Sequence, residues 1–190
     1  MGRVGVGLAV LAMLVAACGG DGDDSAPAPS RTPAESTAGA DASFSLTSPA
    51  FGDGDAMPEQ FTCDGANASP PLEWSGVPVD TRELALTVDD PDAPGGTFVH
   101  WVAWGIDPAA AGLTQGSVPP GMVQGANGAG ETAYAGPCPP GGPAHRYVFT
   151  LYALSAPVPL APGADETELL AAIAGIELAE AQLTGTYGRA

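Results

Sequence analysis

The chain contains no lysine, and its five arginines face 22 acidic side chains, a formal net charge of −17 over 190 residues. Clustered cations are what grip a phosphate backbone, so a nucleic acid is excluded as a natural partner. The same deficit argues against attraction to anionic lipid headgroups by charge alone. A phosphate-like ligand would have to be captured locally, by backbone N–H groups and histidine, against the field of the whole protein. Histidine is itself scarce, with two residues, His100 and His145, and there are only three cysteines. No His-Glu-x-x-His helix signature occurs, and Ser69, Ser75 and Ser117 lack the Gly-x-Ser-x-Gly turn of a nucleophilic serine. There is no internal repeat. The longest apolar run, Val4 to Ala17, is too short to span a bilayer comfortably as a permanent helix.

That run follows Met1-Gly2-Arg3 and ends in small residues, which is the layout of an export signal. Its last three residues and the next one, Val15-Ala16-Ala17-Cys18, match the lipobox at which bacterial lipoproteins are cleaved before a lipid-modified cysteine. The expectation is a signal peptide over 1–17 and a lipid anchor at Cys18, holding the protein on the outer face of the bacterial membrane. Two or more acyl chains give stable anchoring, at roughly 0.8 kcal/mol per buried methylene. From Gly19 to Ala42 no aromatic or branched aliphatic side chain occurs. Nothing there can form a core, so 18–42 reads as a linker, its root solvated by Asp21, Asp23 and Asp24. Every Trp, Phe and Tyr falls in the remaining block, expected to be one domain over 43–190.

If Cys18 carries lipid, an even pair remains, Cys63 and Cys138, in an oxidising compartment. Both lie in Pro/Gly-rich loops, Thr62-Cys63-Asp64-Gly65 and Gly136-Pro137-Cys138-Pro139. A disulfide between the loops is the preferred reading. Two free thiols, or a Cys138 nucleophile activated by His145, are the alternatives.

Strand character is expected over Phe44–Leu46, Leu72–Trp74, Leu84–Asp89, Phe98–Ile106 and Tyr147–Leu154, with a last strand over Gln182–Tyr187. In the fourth of these, alternation puts His100, Val102 and Trp104 on one face and Val99, Trp101 and Ala103 on the other. Both faces are apolar, as in a central strand of a layered β-structure. His145 is in register with Tyr147, Phe149 and Leu151. Asp165 to Ala174 reads as a helix with an acidic first turn and a narrow stripe of Leu169, Leu170 and Ile173, stopped by Gly175. Leu178–Ala181 suggests a second short helical turn. Gly112–Pro143 shows no pattern, and loops of that length are usually functional or pinned by bonds.

The two histidine segments can now be set side by side. Asp90-Pro91-Asp92-Ala93-Pro94 leads to His100-Trp101, and Gly136-Pro137-Cys138-Pro139-Pro140 leads to His145-Arg146-Tyr147. Together they resemble the phosphatidylethanolamine-binding protein family, also called Raf-kinase-inhibitor-like proteins. Thr62-Cys63-Asp64-Gly65, Asn67-Ala68-Ser69-Pro70-Pro71-Leu72 with Trp74, and the terminal Leu183-Thr184-Gly185-Thr186-Tyr187 are similar to its bacterial YbhB/YbcL branch. The resemblance implies a mainly β fold: a large central antiparallel sheet packed on a smaller sheet, with a few short peripheral helices. It also implies a small cavity for phosphate-type anions, lined by Asp90, Asp92, His100, Pro139, His145 and Tyr147, with no cofactor. Eukaryotic members close that cavity with a C-terminal helix. The sequence here runs to Ala190, just past the last strand, so a more open cavity is expected.

The chemistry is intelligible without the family. A carboxylate that accepts an imidazole N–H fixes the tautomer and leaves the other nitrogen for a ligand. Such a site binds a phosphorylated or carboxylated ligand, or docks a partner protein that it inhibits or modulates. The competing reading is a hydrolase, with two histidines and a carboxylate holding catalytic zinc or with Cys138 as nucleophile. A third is an interaction role in which the pocket is unused.

Overall fold

The computed structural model describes residues 43–189; the expected signal peptide over 1–17, Cys18 and the expected linker over 18–42 lie outside the described residues. Strands β1 (Ser45–Thr47), β2 (Leu72–Ser75) and β5 (Gly112–Leu113) form a small sheet in the order β1-β2-β5. The large sheet runs β6-β4-β3-β7-β8, built from β3 (Glu83–Asp90), β4 (Phe98–Ile106), β6 (Val123–Gln124), β7 (His145–Leu154) and β8 (Glu177–Tyr187). Every pairing between these strands is antiparallel. The one α-helix among the described residues, α1 (Glu166–Ile173), lies between β7 and β8 in sequence.

The large sheet is buried on both faces, which is why its central strands are apolar throughout rather than alternating. One face meets the small sheet, joining Leu84, Leu86, Val88, Trp101, Phe149 and Leu151 to Leu46, Leu72, Trp74 and Leu113 in a single core. On the other face Ala85, Val102, Trp104 and Leu154 pack with Leu169 and Ile173 of α1. The helix starts on a capping box, in which Asp165 accepts from the Glu168 N–H and the Glu168 carboxylate accepts from the Asp165 N–H. It stops at Gly175, whose φ of 87° is left-handed.

Three expectations need correction. Leu170 stays 40% exposed, so the buried stripe of α1 is Leu169 and Ile173 alone. Leu178–Ala181 is not helical: β8 is a single strand of 11 residues that pairs with β7 along its length. Its Ala and Glu content favours a helix locally, and the cross-strand partners override that weak preference. The third concerns β4. Its register against β3 shifts between the Val88 and Asp89 pairings, so Val88 opposes Trp101 while Asp89 opposes Val99, and His100 is the extra residue of a β-bulge. Strict alternation therefore fails at that point. Val99 packs with the Val102 and Trp104 cluster, whereas the His100 ring stands edge-on to Tyr147 at 5.1 Å and to Phe98 at 4.9 Å.

The long segment from Gly112 to Pro143 holds only the two-residue strands β5 and β6, and it is pinned by bonds. Asn127 donates to the Ala133 carbonyl and accepts from the N–H groups of Ala129 and Glu131. Gln124 accepts from the Trp101 indole at 2.8 Å, and Tyr134 donates its hydroxyl to the Phe61 carbonyl at 2.9 Å.

Candidate functional site

A cavity of about 400 Å³ opens where the end of β3, the bulge of β4, the start of β7 and the 135–140 loop converge. Asp90, His100, Pro139 and His145 of the expected set line it. Asp90 is the last residue of β3 and is only 3% exposed. Its Oδ1 accepts the Asp92 N–H at 2.9 Å, a turn that holds the carboxylate rigid, and its Oδ2 accepts from His145 Nδ1 at 2.8 Å. His145 therefore keeps Nε2 for a ligand, and that nitrogen donates whenever the ring carries its second proton.

His100 is held differently. Its Nδ1 lies 2.6 Å from the Ala135 carbonyl, and since a carbonyl only accepts, Nδ1 carries the proton. In return the Ala135 N–H donates to the His100 carbonyl at 2.9 Å. Burial holds the His100 pKa below its ordinary value of 6.5, against the opposing pulls of the Ala135 bond and the Asp90 charge. The buried ring is thus neutral near pH 7, with a lone pair on Nε2.

Asp92 and Tyr147 are brought to the neighbourhood but do not line the cavity. The Asp92 carboxylate is turned to Arg146, accepting from its backbone N–H, Nε and Nη2 at 3.0, 2.9 and 2.8 Å. Those bonds hold the Asp92 carboxyl far below the usual carboxylate range. Tyr147 is fully buried beside His100; its hydroxyl makes no hydrogen bond among the described residues, and burial raises its pKa.

The remaining wall is mostly apolar: Ala93, Pro94, Phe98, Pro140 and the Cys63–Cys138 pair. Those two cysteines form a disulfide between loops 75 residues apart in sequence, supported by a bond from the Cys63 N–H to the Pro137 carbonyl at 3.1 Å. Cys138 is therefore not a free nucleophile. At the rim, Asp64 accepts from Arg189 at 2.7 Å and from the Tyr187 hydroxyl at 2.9 Å, tying the end of the chain to the Cys63 loop. Among the described residues no group of three or more His, Cys, Asp or Glu has the spacing to hold a metal ion.

Asn67 lines the cavity and was missing from the expected site. It has a φ of 53°, a left-handed backbone that asparagine tolerates better than most residues. Its Oδ1 accepts the Gly136 N–H at 2.7 Å, which fixes the amide and leaves Nδ2 as a donor. Gly136 has to be glycine, since a Cβ there would lie 2.5 Å from Asn67 Oδ1 and 2.6 Å from the Phe61 carbonyl oxygen. Only a turn-forming composition around Asn67 is visible in the sequence; the contact with a residue 69 positions away is not.

Comparison with known proteins agrees with this arrangement. The family model described as phosphatidylethanolamine-binding protein matches residues 47–188. A UPF0098 protein of Methanothermobacter thermautotrophicus is 47% identical over 151 residues, covering 77% of this chain and 99% of its own length. A Mycobacterium tuberculosis protein carrying the lipoprotein name LppC is 43% identical over 194 residues, covering 97% of this chain and 96% of its own. The crystal structure of Escherichia coli YbcL, titled a new member of the mammalian PEBP family, superposes with a TM-score of 0.73 at 32% identity, covering 77% of this chain and 99% of YbcL. With its two antiparallel sheets, one α-helix among the described residues and a family match over nearly all of them, this chain belongs to the phosphatidylethanolamine-binding protein family.

Proposed function

We propose that this is an exported, lipid-anchored binding protein whose cavity takes a small anion, a phosphate or phosphorylated headgroup, and through it modulates a partner protein. The observation that carries the reading is that both histidines of the chain line one apolar-walled cavity, with the Asp90 carboxylate orienting His145. Ligand oxygens would accept from His145 Nε2 and Asn67 Nδ2, with Pro139 shaping the wall. Asp92 and Tyr147 act at one remove, Asp92 by clamping Arg146 and Tyr147 by packing against His100.

The test is a chemical-shift or calorimetric titration with inorganic phosphate and phosphoethanolamine. Hydrogen bonds to charged groups contribute about 1.5–3 kcal/mol, so His145→Ala is expected to weaken binding roughly tenfold or more while the domain stays folded. Equal affinity in the variant would make His145 a structural residue and sink the reading.

The anchor is a separate expectation. The LppC match covers 97% of this chain and so runs through the segment around Cys18, which supports lipidation there. Cys18→Ala is expected to move the protein from the membrane fraction to the soluble envelope fraction. Retention on membranes to the same extent as the parent would mean that something other than lipid holds it.

A further inference from the structure

We propose that the cavity selects anions that carry their own proton, phosphomonoesters and hydrogen phosphate, over fully esterified or proton-free anions, because His100 meets the ligand as a hydrogen-bond acceptor. The inference rests on the anion-binding reading above and specifies its ligand class.

The donor count leads to it. Of the residues that line the cavity, Pro94, Pro139 and Pro140 have no N–H. The N–H groups of Cys63, Asn67, Ala135 and Gly136 are spent on Pro137, Thr62, His100 and Asn67. No lysine exists, and Arg146 next door does not line the cavity and turns Nε and Nη2 to Asp92. What remains for a ligand is the Asn67 Nδ2 donor, the N–H groups of Ala93 and Cys138, His145 Nε2, which donates when that ring carries its second proton, and on the other side the lone pair of His100 Nε2, which has no partner among the described residues. A fully deprotonated oxyanion offers only acceptors, so against Nε2 it would set lone pair against lone pair. A P–OH group turns that repulsion into a hydrogen bond.

The alternative is that His100 takes up a proton when the anion binds. The groups facing it are Asp90 from β3 and His145 and Tyr147 from β7, while the 135–140 loop brings no charged side chain. Asp90 favours that proton, but its oxygens already accept from His145 and the Asp92 N–H, and burial weighs most. With Nδ1 committed to a carbonyl, the neutral ring is the resting host. An intact phosphatidylethanolamine headgroup is a phosphodiester and has no P–OH. A phosphomonoester, whether free or on a protein side chain, has one below its second pKa near 6.

Methyl phosphate and dimethyl phosphate separate charge from hydrogen bonding. At pH 5.5 both are largely monoanions, and only the first carries a proton. Calorimetric titration of the wild-type protein is expected to show methyl phosphate binding at least tenfold tighter at pH 5.5. Its affinity should fall nearly tenfold per pH unit above 7, and in buffers of different ionisation enthalpy about one proton should be taken up per ligand at pH 8. His100→Gln, whose amide can donate, should close the gap between the two esters. Binding of both esters with equal affinity at pH 5.5, or of sulfate with the same proton uptake as methyl phosphate, would overturn the proposal while leaving the anion site standing. Failure of all three anions to bind at any pH would remove the anion site itself.

Discussion

Replacing Cys63 and Cys138 together by serine is expected to lower the unfolding free energy by about 4 kcal/mol. The bridge closes a loop of 75 residues, and in the chain-entropy treatment the stabilisation comes from the conformations that such a loop denies to the unfolded chain. For a domain of this size the loss corresponds to a fall in Tm on the order of 10 °C. Reduction of the wild-type protein should give the same loss, because the native contacts around the bridge remain. They include the Gly136 bond to Asn67 and the Tyr134 bond to Phe61. Urea melts of the oxidised, reduced and doubly substituted proteins check it. A shift below about 1 kcal/mol would mean that the unfolded chain is already constrained without the bridge. The consequence for the cavity is direct, since both cysteines line it and Pro139 follows Cys138.

Asp89→Asn is expected to stabilise the domain at alkaline pH and to flatten its pH dependence. Asp89 sits on the α1 face of β3, one residue before the cavity aspartate. Its Oδ1 is buried without a hydrogen bond, and its Oδ2 accepts only from Thr87 at 3.3 Å. Burial first, and then the neighbouring Glu166 carboxylate, push the Asp89 carboxyl up from 3.8 to about 8. Tyr152 of β7 and Glu180 of β8 complete the surroundings, adding no positive charge. Between pH 4 and 8 the folded protein therefore keeps a proton that the unfolded chain has lost. The stability this group contributes is fully present below pH 4 and is lost as pH rises through about 8. Asparagine keeps the shape, stays neutral and can donate to Glu166. A gain of about 1–3 kcal/mol over wild type is expected at pH 8.5, the cost of leaving one buried polar group unsatisfied. At pH 4 the two proteins should be nearly equal. Denaturant melts at pH 4, 6 and 8.5 decide it, and parallel curves at all three values would show that Asp89 does not carry the proton.

Much of this molecule was determined by local pattern. Apolar strands such as Phe98–Ile106 announced a sheet buried on both faces, and the acidic turn, Leu169, Ile173 and Gly175 announced the helix. The order of the Asp90, His100, Cys138 and His145 segments identified the family, and the even cysteine pair anticipated the bridge. These features are legible because each depends on neighbours within a few residues or on a motif kept in order along the chain. Tertiary structure alone decided the rest. Alternation placed His100 with Val102 and Trp104, and a one-residue bulge against β3 turned it to Tyr147. Either aspartate could have oriented an imidazole; Arg146 took Asp92 and left Asp90 to His145. The 178–181 segment favoured a helix until β7 supplied a full set of strand partners. Asn67 entered the cavity through a bond to Gly136 that no spacing rule foretells. In each case the outcome turned on which of several groups reached a hydrogen-bond partner first in space. That competition is settled by residues between 10 and 69 positions away, beyond the reach of any periodicity.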